Sequence, residues 1–156
     1  MKLHVCAVGR LRGGPERDLT DDYYTRFNRT GRPLGLGPLA ELEVEDKKHG
    51  GRVAEADLLS RAMPAGALLL TLDERGQSLT SPEFAAQLAQ WRDAGTQDLA
   101  LIIGGADGID PTLRARASFS LRFGAMVWPH LLVRVMLAEQ LYRAATILAG
   151  GTYHRA

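Results

Sequence analysis

The sequence predicts an α/β fold, a mainly parallel sheet flanked by helices, and three observations carry that prediction. The apolar period switches repeatedly between two and about 3.6 along the chain. Two strand-like runs, GALLLTLD (66–73) and DLALIIGG (98–105), are apolar on both faces, as strands are when helices cover both sides of a parallel sheet. Strand-like and helix-like segments also alternate, the order of a layered βαβ fold.

KLHVCAV (2–8) opens the chain as a strand. GGPERDLTDDYYTRFNRTG (13–31) reads as a helix, with Pro15 in its first turn and Gly31 past its end. NRTGRPLGLGPLA is rich in Gly and Pro and reads as a loop rather than a domain boundary. LAELEVE (39–45) alternates apolar and acidic residues, so it is a half-exposed strand. A helix follows over RVAEADLLSRAM (52–63), then the buried strand 66–73. TSPEFAAQLAQWRDAG (80–95) carries two start signals, the Thr80/Glu83 capping-box spacing and Ser81-Pro82, and ends at Gly95. After the strand 98–105, DPTLRARA (110–117) has Asp110 as cap and Pro111 at the first helical position. FGAMVWP (123–129) reads as a last short strand, and everything from Pro129 to Gly150 as helix.

Composition bounds the rest. A length of 156 residues predicts a single domain over 1–156, with 46% hydrophobic and 24% charged residues as in ordinary soluble proteins. No apolar run is long enough to cross a bilayer, and the start lacks the pattern of a signal peptide. The one cysteine, Cys6, falls inside the first strand and reads as a small buried hydrophobe, which suits a reducing cytoplasm. Residues 111–156 hold 6 Arg against 1 acidic residue, whereas residues 62–110 hold 2 basic against 7 acidic. Such a basic third fits either nucleic acid or a solvated surface.

In open α/β sheets ligands gather at the carboxyl ends of the strands, which singles out TLDERGQSLTS, IIGGADGID and FGAMVWPH. Gly104 and Gly105 leave room for a flat ring or a backbone, although GG-x-x-G also makes a plain tight turn. No Gly-Lys-Ser/Thr and no G-x-G-x-x-G follows, so neither phosphate-loop pattern is present. The four histidines lie in separate segments, which argues against a metal site, and no G-x-S-x-G elbow supports an esterase. The last helix is apolar nearly all round, so it is buried on several sides, within one subunit or between two. Its Glu139 and Arg143 stand four apart in the favourable order, with Tyr142 three from Glu139; Arg134 lies about half a turn round and belongs to no such cluster.

The ordered set TLDERG, LIIGGADG, PHLLVRVMLAEQLYRA and terminal YHR resembles the RlmH (YbeA-type) family of SPOUT-class methyltransferases, which act on a pseudouridine of bacterial 23S rRNA. The resemblance is strong from Leu69 to Arg155 and rests on length and element order before that. It implies a SPOUT-type α/β-knot whose C-terminal segment threads a trefoil knot, and S-adenosyl-L-methionine held by Leu72, Gly104, Phe123, Gly124, Ala125, Met126, Val127 and Trp128. These positions coincide with the three segments chosen from topology. The implied reaction is methyl transfer to ring nitrogen N3 of a pseudouridine in a hairpin loop, where a base is reached by stacking and by arginine. Tyr142, Arg143, Tyr153, His154 and Arg155, with Arg134, are suited to that role, and His154 is the candidate for proton transfer. The implied partners are 23S rRNA or the ribosome and a second copy of the chain, with no metal and no membrane. A SPOUT enzyme for tRNA and a non-catalytic RNA-binding assembly factor are the alternatives. Asp107 receives no role, and Ala156 follows the terminal Tyr-His-Arg as an extra residue.

Overall fold

The structure, a computed structural model, describes residues 1–155; Ala156 lies outside the described residues. Among them, strands β1 (Lys2–Val8), β2 (Leu39–Val44), β3 (Leu68–Gln77), β4 (Asp98–Ile103) and β5 (Phe119–Leu121) form one sheet of order β2-β1-β4-β3-β5. Every neighbouring pair is parallel, so all strands end at the same edge. Helices α1 (Pro15–Gly31), α2 (Gly51–Ala62), α3 (Ser81–Asp93) and α4 (Pro111–Ala115) make the crossovers, and with α5 (His130–Leu148), which follows the last strand, they cover both faces.

The period of two in β1 and β4 decides which residue faces which layer. Leu3, Val5 and Ala7 with Leu99, Leu101 and Ile103 pack under α1, α3 and α5. Cys6, Val8, Ala100 and Ile102 face the other way, onto Leu59 of α2 and Leu113 of α4. Cys6 is a buried thiol, as expected, and burial pushes its pKa up to about 12, so it is inert.

Local signals explain most element ends. Thr80 and Glu83 form the expected reciprocal capping box, and Asp110 caps α4 through the Thr112 amide. The end of α5 is a Schellman motif: Gly151 N–H bonds Thr146 O at 2.8 Å and Gly150 N–H bonds Ile147 O at 3.1 Å, with Gly150 at φ 70.

Three readings change. The helix α1 runs through Gly31 instead of stopping before it: Gly31 keeps right-handed helical dihedrals (φ −76, ψ −28) and leads into a 3-10 turn at Arg32–Leu34, and a Cβ there would stand 2.7 Å from Leu36 O. The strand β3 continues through Glu74–Gln77, past the end expected at Asp73, by a bulge that pairs both Leu72 and Gln77 with Leu121. FGAMVWP is not a strand: β5 lies just before it at Phe119–Leu121, and the apolar run is an exposed loop turned at Gly124 (φ 97). Apolar content misled there because an exposed apolar loop and a buried strand share it.

Candidate active site

The shared strand edge gathers three loops. The bulged stretch of β3 (Leu72–Arg75) and the loops after β4 (Ile103–Ile109) and β5 (Leu121–Trp128), with His130 and Val133 at the start of α5, line a cavity of about 300 Å³. Leu72, Gly104, Phe123, Gly124, Met126, Val127 and Trp128, named from the resemblance, all line it; Ala125 stands in the same loop, exposed, and does not. Met126 and Val127 are 74% and 81% exposed, so one wall is an uncovered apolar strip. Trp128 Nε1 donates to Phe123 O at 2.9 Å and closes this loop on itself.

The glycine pair serves loop closure first. A Cβ on Gly104 would stand 2.8 Å from Ile109 Cγ1 and 2.9 Å from the Gly108 carbonyl oxygen. One on Gly105 would stand 2.9 Å from Glu55 Oε1. The tight-turn reading of GG-x-x-G therefore holds, and the turn it makes is a cavity wall. Asp73 fixes the neighbouring loop, accepting from Arg75 N–H at 2.9 Å and from Arg114 Nε at 2.8 Å. That pair joins residues 41 apart, so no local signal in the sequence revealed it; Val133 in the lining was missed because it reads as ordinary core, whereas Ile103 and Ile109 lie within the segment IIGGADGID.

The polar residues of α5 separate into two groups, as the helical spacing predicted. Arg134 has no exposed surface; it donates to Gly9 O at 3.1 Å and to Glu41 and Glu43 at 2.7 Å each. Its suitability for RNA is therefore overturned, and the acidic face of β2 is seen to serve α5 and Arg17 rather than water.

Arg143 pairs with Glu139 at 2.5 Å, and the tail folds back onto them. The Tyr153 hydroxyl donates to Glu139 at 3.0 Å, and its ring lies 4.7 Å from Tyr142 and 4.8 Å below the Arg143 guanidinium. Burial, then hydrogen bonding to Tyr23 and Glu139, pushes the Tyr153 hydroxyl well above its ordinary range, so it stays a neutral donor. Arg143 Nη1 lies 3.4 Å from His154 Nδ1. A guanidinium only donates, so in this arrangement Nδ1 accepts and the ring proton sits on Nε2. Arg155 is exposed.

Tyr142, Arg143, Tyr153 and His154 do not line the cavity. Twelve residues of helix separate His130 from Tyr142, about 18 Å of rise. Between them lies a second hollow of about 570 Å³, bounded by Leu19 and Tyr23 of α1 and by Val135, Met136 and Glu139 of α5. It shares Leu121–Gly124 with the cavity. Among the described residues no group of three acidic, His or Cys side chains is placed to hold a metal, and no helix is long and apolar enough to cross a membrane.

Residues 1–154 match the family described as "Predicted SPOUT methyltransferase". The chain is 71% identical to a Ruegeria pomeroyi protein, and 72% to one from Cereibacter sphaeroides, each named "Ribosomal RNA large subunit methyltransferase H", over 99% of both chains. Among solved structures, a probable methylase family protein from Haemophilus influenzae aligns with TM-score 0.51 at 11% identity, over 99% of this chain and 70% of that one, a likeness of fold.

Proposed function

The chain belongs to the SPOUT methyltransferase family, and from that premise we propose that it methylates large-subunit ribosomal RNA with S-adenosyl-L-methionine, at N3 of a pseudouridine. The observation that carries this reading is full-length identity above 70% to relatives named for that rRNA, together with a cavity closed by all three loops at the strand ends. The chain acts as one cytoplasmic domain in which the segment after β5 threads the knot.

The cavity fits the cofactor. Its glycine turns expose backbone groups to a heteroaromatic ring, Leu72, Ile109 and Val133 offer apolar cover, and the Met126–Val127 strip stands uncovered beside them. Bound there, the cofactor supplies the electrophilic methyl group. The chain's own residues must then hold the base in line and take the N3 proton.

The tail is the part equipped for that task. Arg143 and Arg155 offer guanidinium forks for phosphate or a base edge, and Tyr153 offers a hydroxyl that remains a donor. His154 takes the proton once Arg143, drawn to an RNA phosphate, releases Nδ1. Because Tyr142, on which the tail rests, stands nine helical residues beyond Val133 at the cavity, the reading includes a homodimer in which one copy's tail serves its partner's cofactor. The α1/α5 face, with Leu19 at 47% and Leu132 at 40% exposure beside the second hollow, is the apolar surface for that second copy.

The test is methyl transfer by the purified protein from labelled cofactor to large-subunit rRNA carrying or lacking pseudouridine. Label in the pseudouridine-containing rRNA alone is the expected result. Label in both, or in neither, contradicts the reading.

A further inference from the structure

We infer that Tyr23 and Arg26 of α1 are positioning residues that hold the C-terminal tail for methyl transfer. The inference deepens the reading of the tail given above and rests on it.

Tyr23 and Arg26 are three residues apart, hence on one helical face. The Tyr23 ring lies 6.1 Å from the Tyr142 ring at 36°. The Arg26 guanidinium stands 5.9 Å from the centre of Tyr23 and 5.8 Å from that of Tyr142, so a single cation lies against both rings. Asp22 pairs with Arg26 at 2.8 Å, and that hydrogen bond keeps it a firm cation. The sequence of contacts then continues without a break: Tyr142 to Tyr153 at 4.7 Å, and Tyr153 under Arg143 at 4.8 Å. Two cations thus bracket the stacked Tyr142 and Tyr153 rings between α1 and the tail. The Tyr153 hydroxyl, donating to Glu139, closes the set.

Tyr24 and Phe27, their neighbours on α1, fill the core, whereas Tyr23 packs only at its margin and both Tyr23 and Arg26 are half-buried. The tail requires support. After Gly150 and Gly151 it has no helix or strand to order it, and fixing a free segment carries an entropy cost at each residue. Among described contacts, the ones ordering it run to Glu139, Tyr142 and Arg143. Because Tyr142 is itself braced by Arg26 and Tyr23, α1 sets the orientation of the ring on which Tyr153 rests.

The test uses the full-length protein in single-turnover methylation at saturating rRNA. Tyr23→Leu and Arg26→Ala lower the rate by roughly tenfold, the scale of one lost ring or cation contact. Tyr23→Phe and Arg26→Lys recover most of it, while cofactor affinity and melting temperature stay at wild-type values. In a chain lacking residues 153–156, Tyr23→Leu causes no further loss. A wild-type rate for full-length Tyr23→Leu, or an equal added loss in the truncated chain, overturns the inference and leaves the tail reading standing. A truncated chain that methylates at the wild-type rate overturns the tail reading itself, and the inference with it.

Discussion

Arg134 reaches Glu41 at 2.7 Å from a position with no solvent exposure, and so pins the last helix to the edge strand of the sheet. The contact spans 93 residues of sequence. It also brings Glu43, partly open to solvent, and the Gly9 carbonyl into one network around the buried Arg134 guanidinium.

Removing one partner of such a network strands the other charges. Arg134→Ala is expected to destabilise the fold by about 3–5 kcal/mol, the range for breaking a buried ion pair from one side. Urea unfolding measures it, and adding Glu41→Gln and Glu43→Gln to the variant should restore part of the loss. A change under about 1 kcal/mol would mean that the network is dispensable.

The same network predicts an acid response. Desolvation alone would raise the Glu43 carboxyl, but the Leu11 N–H and the Arg134 guanidinium outweigh it and hold the group below its ordinary 4.5. A depressed folded-state pKa gives stability that is complete above the unfolded value and lost as pH falls through the folded one. Melting temperature should therefore hold from pH 7 to about 5 and decline below the ordinary carboxylate value. Glu43→Gln should decline less steeply over that acid range; an identical slope would assign the acid sensitivity to other carboxylates.

Much of this was legible in the sequence because it is local. The capping box at Thr80/Glu83, the Asp110 cap, the glycine end of α5 and the Glu139–Arg143 pair all follow from spacing within one element, and each is present. The Arg134–Glu41 and Asp73–Arg114 pairs were hidden because each joins elements brought together only by the sheet. The exposed loop 123–129 was misread for a related reason: whether Met126 and Val127 are core or lining is decided by what lies opposite, which alternation cannot report. The three cavity loops were found because a parallel sheet forces its strand ends to one edge, a rule of topology rather than of composition.

Gly104→Ala tests the loop itself. The added Cβ meets Ile109 and Gly108, so the turn must shift, while the sheet beneath is untouched. S-adenosyl-L-methionine should raise the wild-type melting temperature by mass action, and calorimetry should show at least ~10-fold weaker binding in the variant. Wild-type affinity there would show that the turn is no wall of the cofactor site.

The dimer is tested on the surface rather than in the core. Leu137 is wholly buried within its own subunit, so an arginine there would report on folding. Leu132→Glu with Leu19→Glu places charges on the exposed α1/α5 face instead. Light scattering at micromolar concentration should give twice the chain mass for the wild type and less for the double variant, with methylation lost in parallel. A fully active monomer would contradict the two-subunit reading.

The most direct measurement of the central claim is nucleoside mass spectrometry of large-subunit rRNA from cells lacking this gene, complemented with wild-type protein or with a chain ending at Thr152. The account predicts that one methylated pseudouridine disappears on deletion and returns with the wild type. The truncated protein, folded and cofactor-binding, should restore it at a rate at least ~100-fold lower, the scale of a lost proton-transfer group. A methylated pseudouridine that persists in the deletion strain would contradict the assignment, and full restoration by the truncated chain would remove the tail from the chemistry.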